Sequence, residues 1–345
     1  SAGFSIYRSE GDRGFLKVYR AKPPLGPLWI AHVRTFRRLF GLEDVIDVFP
    51  LGEAVVLVVV GSEIHRADLV EGRTERVHRL RYHGFWDGRG VMPSTMASDH
   101  DGRVYYGEQV ARALGADETV ALFRSDDLGR SFKIIHELEA DAASSIRAVA
   151  WDVHGQALWM SVADGDDRGR IGYSTDLGAT FRWIGEGDAA FQAAALTFSE
   201  DHVDWLSDGV EEAARMVRWH REGDEIRVLD RALPGRGQGL EPIGDGFSLG
   251  MTAAEAASVW LIGPALSVDS VATWQPVTSR WDGFGQLRLV HGRAEGDDGL
   301  YMSPVLAEEQ QPSILRLPRR DVLKALGISL PSEPRLSNRD DLTGE

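Results

Sequence analysis

The residues best suited to chemistry in this sequence are carboxylates that follow short strand-like runs. These carboxylates and one neighbouring arginine are Glu108, Asp164, Asp166, Asp167, Arg168 and Asp208. A pair of carboxylates at a set separation can hydrolyse a glycosidic bond. Closely spaced aspartates also offer the oxygen ligands that calcium prefers, although this stretch lacks the full loop of an EF-hand. The run Asp-Gly-Asp-Asp at 164–167 is equally typical of an ordinary turn.

A second group of polar and aromatic residues precedes strand-like runs. Its members are His83, Trp86, Asp87, Arg147, Gln192, Glu241, Trp281, Gln286 and Arg288. Aromatic rings stack on sugar faces, while Asp, Gln and Arg side chains bond to hydroxyls or to the carboxylate of an acidic sugar. A polysaccharide lyase could use Arg147 to neutralise a uronate and a histidine, His83 or His100, to remove the C5 proton.

These two groups give a set of predicted roles. The predicted catalytic residues are Asp164, Arg147, His83 and Glu108. The predicted calcium ligands are Asp164, Asp166 and Asp167, and the predicted ligand-binding residues are Trp86, Asp87, Arg168, Asp208, Gln192, Glu241, Trp281, Gln286 and Arg288. A single histidine in such a loop is more often a surface or hydrogen-bonding residue, and loops of an acidic protein carry carboxylates by chance.

Composition narrows the classes of function. The 345 residues include 53 acidic and 38 basic side chains, for a net charge of −15, which argues against a nucleic-acid-binding surface. Without cysteine the chain has no disulfide framework, thiolate metal site or cysteine nucleophile. No apolar run approaches the roughly 18 residues of a membrane span, and no signal peptide is recognisable, so we expect a soluble chain whose compartment the sequence leaves open.

Two octets with the pattern Ser-x-Asp-x-Gly-x-Ser/Thr-Phe stand at residues 125–132 and 174–181, 49 residues apart. A third copy at 267–274 keeps Ser, Asp, Thr and an aromatic residue but lacks the glycine. In each copy the aspartate can accept bonds from amides of its own turn, and in the first two the glycine allows a positive φ. The matching spacing indicates a structural repeat.

The octet resembles the Asp-box, or BNR repeat, of sialidase-like β-propellers. In that family it joins the third and fourth strands of a blade, on the face away from the ligand. The resemblance therefore implies a propeller whose ligand loops lie between second and third strands and between successive blades. The Arg-Ile-Pro motif of sialidases is missing, and Arg316-Leu317-Pro318 near the other end is its nearest match, so the resemblance implies the fold rather than sialidase activity.

Strand-like runs bounded by Gly, Asp and Pro group into six units of four, with the last one shorter. The predicted runs are 45–49, 54–60, 63–68, 74–80; 93–98, 103–107, 120–125, 132–137; 146–152, 157–162, 170–174, 181–184; 193–198, 203–206, 215–220, 225–229; 241–243 together with 246–251, then 258–261 and 274–277; and 286–290, 300–302, 314–317. Aromatic triplets at 104–106, 158–160, 203–205, 259–261 and 300–302 are interpreted as second strands that pack between blades. Runs 4–7 and 15–19 are expected to close the ring.

We therefore predict an all-β fold, a six-bladed propeller of four-stranded antiparallel blades over residues 1–320, with five or seven blades as alternatives. Residues 321–345 are predicted to form a short helix and a polar tail, and 29–40 a short helix. The predicted function is recognition of a carbohydrate or other polar small molecule. Hydrolysis or elimination of a glycosidic bond is the reaction that such a site could catalyse. The alternatives are a non-catalytic interaction propeller and a biosynthetic enzyme for an unusual small molecule, because fold alone does not decide function.

Overall fold

The strands follow one another along the chain as antiparallel meanders. The computed structural model describes residues 5–9, 15–20, 45–52, 54–60, 63–81, 95–108, 119–138, 145–164, 168–208, 213–228, 232–233, 235–244, 247–253, 257–262, 273–274, 286–289, 299–305 and 315–318. The first two strands, β1 (Ser5–Ser9) and β2 (Phe15–Arg20), pair as a hairpin.

The later strands form six sheets, numbered here in chain order. The first sheet has β3 (Val45–Pro50), β4 (Val55–Val60), β5 (Glu63–Asp68) and β6 (Arg73–Arg79). The second has β7 (Met96–Ser98), β8 (Val104–Gly107), β9 (Val120–Ser125) and β10 (Lys133–Leu138). The third has β11 (Ser145–Asp152), β12 (Ala157–Asp164), β13 (Arg168–Ser174) and β14 (Arg182–Glu186).

The remaining three sheets continue the same order. The fourth sheet has β15 (Ala193–Phe198), β16 (His202–Ser207), β17 (Met216–His220) and β18 (Glu225–Val228), and a single 3-10 turn (Ala189–Phe191) precedes it. The fifth has β19 (Arg236–Gly244), β20 (Phe247–Ala253), β21 (Ala257–Ile262) and β22 (Thr273–Trp274). The sixth has β23 (Gln286–Leu289), β24 (Gly299–Val305) and β25 (Leu315–Pro318).

The predicted all-β class and the four-stranded antiparallel units are confirmed. Strands β5, β9 and β15 coincide with the predicted runs 63–68, 120–125 and 193–198. The fifth unit was wrong in register, because its first strand starts at Arg236 rather than at Glu241. The runs 241–243 and 246–251, which were predicted together, belong to two separate strands, β19 and β20, so the triplet 259–261 lies on the third strand of that sheet and not on the second.

Several predictions fall outside the described residues. They are the helices at 29–40 and 321–326, the tail at 331–345 and most of the third octet, whose last two residues form β22. Within the described residues, no helix has the length and apolar character needed to cross a bilayer.

The hydrophobic core lies between neighbouring sheets. Tyr106 and Phe123 of the second sheet pack with Leu57 and Val59 of the first, with the two aromatic rings stacked 4.6 Å apart. Trp159 of the third sheet packs in one cluster with Trp205 and Trp219 of the fourth. Tyr105, Trp159 and Trp205 are fully buried, so the aromatic residues of these second strands stabilise sheet-to-sheet packing, each by about 2–3 kcal/mol of apolar burial. The first strands of the second to sixth sheets also contact one another in sequence.

The two octet turns have the same hydrogen-bond network. Ser125 Oγ accepts from the amide of Gly129 (2.8 Å) and donates to Asp127 Oδ1 (2.7 Å), and Ser131 Oγ donates to Asp127 Oδ2 (2.6 Å). In the second octet Ser174, Asp176, Gly178 and Thr180 repeat these bonds at 2.6–2.7 Å. Both turns join the third and fourth strands of their sheets, as the sequence predicts.

The octet turns also join adjacent sheets. Leu128 and Leu177 have φ of 57° and 61°, and this conformation turns their carbonyls toward the preceding sheet. Arg66 of the first sheet donates to the carbonyl of Leu128 (3.1 Å), and Arg124 of the second donates to that of Leu177 (3.0 Å). We call the end of the sheets that carries these turns the octet edge. The end where β8, β12 and β16 finish is called the opposite edge.

Candidate functional site

A β-bulge interrupts the first strand of several sheets at the opposite edge. The residues that the ladder skips are Ile46, Arg147, Ala194 and Gln238. A bulge leaves one residue unpaired and redirects its side chain, and bulges are frequent beside binding sites. Arg147, one of the predicted catalytic residues, is therefore an unpaired bulge residue, and the same position is unpaired in three other sheets.

Arg147 forms an ion pair that spans two sheets. Its Nη1 lies 3.4 Å from Oδ2 of Asp208, the residue that follows β16, and the two side chains keep 18% and 16% of their surface exposed. The backbone amide of Asp208 donates to the carbonyl of Gln192 (2.6 Å), which fixes the carboxylate beside β15. The ion pair therefore connects β11 of the third sheet with the residue that follows β16 of the fourth.

Glu108 has a structural role in the described residues. Its side chain is fully buried and accepts two bonds from Nε and one from Nη2 of Arg81, at 3.0, 3.1 and 2.5 Å. It also accepts from the amide of Ala121 (3.2 Å), and burial raises the pKa of its carboxyl group despite the guanidinium. This carboxylate joins the end of the first sheet to the second and is covered from solvent.

Two other predicted ligand residues differ in exposure. Gln192 is fully buried where the 3-10 turn meets β15. The backbone of β13 packs so closely on it that a Cβ added at Gly169 would lie 2.6 Å from the backbone nitrogen of Gln192. Arg168 begins β13, is exposed, and pairs in register with Asp164 at the end of β12. Gln192 is thus part of the packing beneath the edge, while Arg168 lies at its surface.

The other predicted site residues are dispersed or lie outside the described residues. Glu241 lies inside β19 opposite Leu249, and Gln286 and Arg288 lie on β23 opposite Val305 and Ser303. The residues outside the described ranges are His83, Trp86, Asp87, Trp281, Asp166 and Asp167. Among the described residues, no group of three His, Asp or Glu side chains is arranged to hold a metal ion.

His100, the alternative base of a lyase, lies in the turn between β7 and β8, which is at the octet edge. Its ring is 60% exposed and lies 3.5 Å from Asp101. The chain therefore places His100 at the opposite end of the strands from Arg147 and Asp208. Its proposed partnership with Arg147 in elimination was wrong.

Sequence reasoning missed two arginines at the opposite edge. Arg81 follows β6 and pairs with Glu108, a partner 27 residues away that no local pattern indicates. Arg236 begins β19 within the Gly-rich stretch 235–239, which resembles a loop in sequence. The glycines at 235 and 237 could have signalled a close approach of the backbone to another strand.

Comparison with known proteins is informative at the level of structure. No protein-family model matches the sequence, and no curated protein matches it. The chain is similar to the GH74 xyloglucanase of Xanthomonas campestris, with 13% identity and a TM-score of 0.56 over 79% of this chain and 44% of that one. A chain of the mitotic checkpoint complex is similar at 10% identity and a TM-score of 0.55, over 91% and 82% of the two chains.

A third similar structure is the luciferin-regenerating enzyme, at 12% identity and a TM-score of 0.51, over 78% of this chain and 88% of that one. The chain spans less than half of the xyloglucanase, and all identities are too low to carry an activity from one protein to another. These structures share successive antiparallel sheets arranged as blades. The likeness shows the fold alone: this chain has a β-propeller fold.

Proposed function

We propose that the protein binds a carbohydrate at the opposite edge, with the ion pair of Arg147 and Asp208 as its anchor. The observation that carries the proposal is the position of this pair, at a β-bulge and across two sheets, with both side chains partly exposed. A sugar hydroxyl can accept a hydrogen bond from the guanidinium while it donates one to the carboxylate. The similarity of the fold to a xyloglucanase is consistent with a sugar ligand.

The proposal extends to cleavage of a glycosidic bond, by hydrolysis or elimination, through residues other than Glu108. A buried carboxylate that is fully engaged by Arg81 cannot reach a glycosidic oxygen, since a general acid must lie within hydrogen-bond distance of the atom it protonates. Asp164 and His83 are then the proposed acid–base residues. Asp164, Asp166 and Asp167 are proposed as ligands for calcium.

The burial of Glu108 favours a second candidate, a propeller that binds its ligand or a protein partner without catalysis. In that case the pair of Arg147 and Asp208 contributes binding only. The two candidates differ in turnover and not in the location of the site.

The finer architecture is also part of the proposal. We assign the octets as Asp-boxes of a six-bladed, sialidase-like propeller within residues 1–320. In the described residues the sixth sheet has three strands where the others have four, and the hairpin of β1 and β2 would supply its outer strand. Deletion of residues 1–20 should then lower the melting temperature and speed amide exchange in β25. A shortened chain with unchanged stability would contradict closure by the N-terminal strands.

One screen tests the function. Wild-type protein, with and without calcium, is incubated with neutral and acidic polysaccharides, and binding, new reducing ends and unsaturated uronates are measured. The variants are Arg147→Ala and Asp208→Asn, with Arg130→Ala as control because Arg130 is an exposed arginine at the octet edge. Binding that is lost in the first two and kept in the control supports the proposal, and the products identify any reaction. Failure of every glycan to bind would overturn it.

A further inference from the structure

Arg236 is a partly buried cation at the opposite edge. It is the first residue of β19, the innermost strand of the fifth sheet, two residues before the bulge at Gln238. Its side chain is of intermediate exposure and makes no ion pair or hydrogen bond with any described residue. An unpaired charge that is partly removed from water is unfavourable, and an anionic ligand group would offset that cost.

The backbone is fixed on both sides of Arg236. Gly235, at φ 88°, accepts a bond from the amide of Ala214 (2.8 Å) through its carbonyl. On the other side, a Cβ at Gly237 would lie only 2.3 Å from the carbonyl oxygen of Ser207, so the strand approaches β16 as closely as glycine allows. The position of Arg236 is therefore set before any ligand binds, which reduces the entropy cost of binding.

The same contact places Arg236 near the proposed anchor. Ser207, on which Gly237 packs, immediately precedes Asp208, the partner of Arg147. At this edge Arg81 pairs with Glu108 and Arg147 pairs with Asp208, and the exposed Arg168 also has an interaction partner of its own. Arg236 differs from them because it makes no ion pair with any residue that the structure describes, which leaves its charge available to a ligand.

We propose that Arg236 binds the carboxylate of an acidic sugar, so that the site prefers a uronate glycan to its neutral counterpart. This inference rests on the proposed carbohydrate site. The site then has the guanidinium of Arg236 beside the pair of Arg147 and Asp208, which can donate and accept hydrogen bonds. An acidic sugar has the complementary groups, one carboxylate and several hydroxyls. A guanidinium can hold a carboxylate through two parallel N–H bonds, which gives direction as well as attraction.

The test uses three acidic polysaccharides, polygalacturonate, alginate and a glucuronan, each beside its carboxyl-reduced neutral derivative. Affinities are measured for wild type, Arg236→Gln, Arg236→Lys and Arg130→Gln. Arg130→Gln removes one positive charge, as Arg236→Gln does, but at the octet edge. A general effect of net charge on affinity would therefore be equal in the two variants. Because Arg236 has no described partner, circular dichroism and melting should be unchanged in Arg236→Gln.

We expect wild type to bind at least one acidic polymer about tenfold more tightly than its reduced derivative, the size of one charge-assisted hydrogen-bonded contact. Arg236→Gln should abolish that preference without weakening the neutral derivative, Arg236→Lys should keep part of it, and Arg130→Gln all of it. Equal binding of acidic and neutral polymers by wild type, or a preference that survives in Arg236→Gln, would overturn the inference and leave the carbohydrate site standing. Binding of neither class would remove both.

Discussion

Arg147 and Asp208 join the first strand of the third sheet to the end of the second strand of the fourth, with 3.4 Å between the guanidinium and the carboxylate. The pair crosses β15, where Ala194 is the bulge residue. It is one of two places at the described part of the opposite edge where partly exposed, oppositely charged side chains of different sheets meet, the other being Arg81 with Glu137.

The first prediction concerns this pair. Arg147→Ala should weaken glycan binding at least tenfold, because a charged hydrogen bond is worth roughly 1.5–3 kcal/mol. The free energy of unfolding should fall by only about 1 kcal/mol, since both groups are partly hydrated. Isothermal titration and urea unfolding measure the two effects, with Arg130→Ala as control. A variant that binds normally would remove Arg147 from the site.

The second prediction separates Glu108 from the ligand. Glu108→Ala removes the three shortest bonds of Arg81 and the side-chain acceptor of the Ala121 amide, so unfolding should become easier by about 2–4 kcal/mol. Glu137 provides the matched control, because it lies 3.4 Å from the same guanidinium but is 52% exposed. Glu137→Ala should cost less than about 1 kcal/mol. Equal losses in urea unfolding would contradict the structural role of Glu108.

The third prediction concerns acid stability. In Asp127, bonds from the hydroxyls of Ser131 and Ser125 outweigh burial and lower the pKa to about 2, and in Asp176 the hydroxyl and amide of Thr180 lower the pKa to about 2. A carboxyl group with a lowered pKa stabilises the fold above its unfolded value of 3.8, and that stabilisation is lost as the pH falls toward 2.

Urea unfolding between pH 5 and pH 2.5 measures this effect. At pH 5 the double variant Asp127→Asn with Asp176→Asn should have a lower free energy of unfolding than wild type. Between pH 5 and pH 2.5 that free energy should fall by less than it does in wild type. Glu200→Gln with Glu222→Gln removes two exposed carboxylates and serves as control. If the two double variants have the same pH profile, the octet turns do not account for acid sensitivity.

The fourth prediction concerns the half-buried histidine His78. His78 Nε2 lies 2.6 Å from the hydroxyl of Tyr106 between the first two sheets, and burial lowers the pKa of the imidazole. Because the neutral form is favoured in the fold, its contribution to stability is complete above about pH 6.5 and is lost as the pH falls.

Melting temperatures at pH 7.5 and pH 5.5 test that prediction. His78→Gln removes the titrating group and keeps a hydrogen-bonding partner for Tyr106, so its melting temperature should depend less on pH than that of wild type. His100→Gln, at an exposed position, should behave as wild type does. A wild-type-like drop in His78→Gln would assign the pH dependence to other groups.

Local pattern was sufficient for most of the strands. The short apolar runs of β9 and β15, and the turn residues that bound them, are local features of the sequence, and the bounds of both strands were predicted to the residue. The start of β19 was missed, because a strand made of Gly-Arg-Gly-Gln-Gly is stabilised by β20 and by its approach to Ser207, neither of which is local.

The charges of the site could not be read from the sequence for the same reason. Away from the site the same holds at the octet edge, where Asp152 and Arg221 are 69 residues apart, yet their bidentate pair, at 2.7 and 2.9 Å, joins the third sheet to the fourth. Glu108 was predicted as catalytic because its loop is acidic, whereas its role depends on Arg81 in another sheet. The predicted strand order placed Arg147 and Asp208 at the same edge of the sheets, but it did not indicate that they pair.

The central claim is that a glycan binds at the edge opposite the octet turns, and hydrogen–deuterium exchange with the best glycan of the screen tests it most directly. Amides at the start of β11 and the end of β16, which flank Arg147 and Asp208, should exchange more slowly in the complex, while residues 125–132 and 174–181 should be unaffected. Protection of the octet turns, with no change around Arg147 and Asp208, would contradict the account.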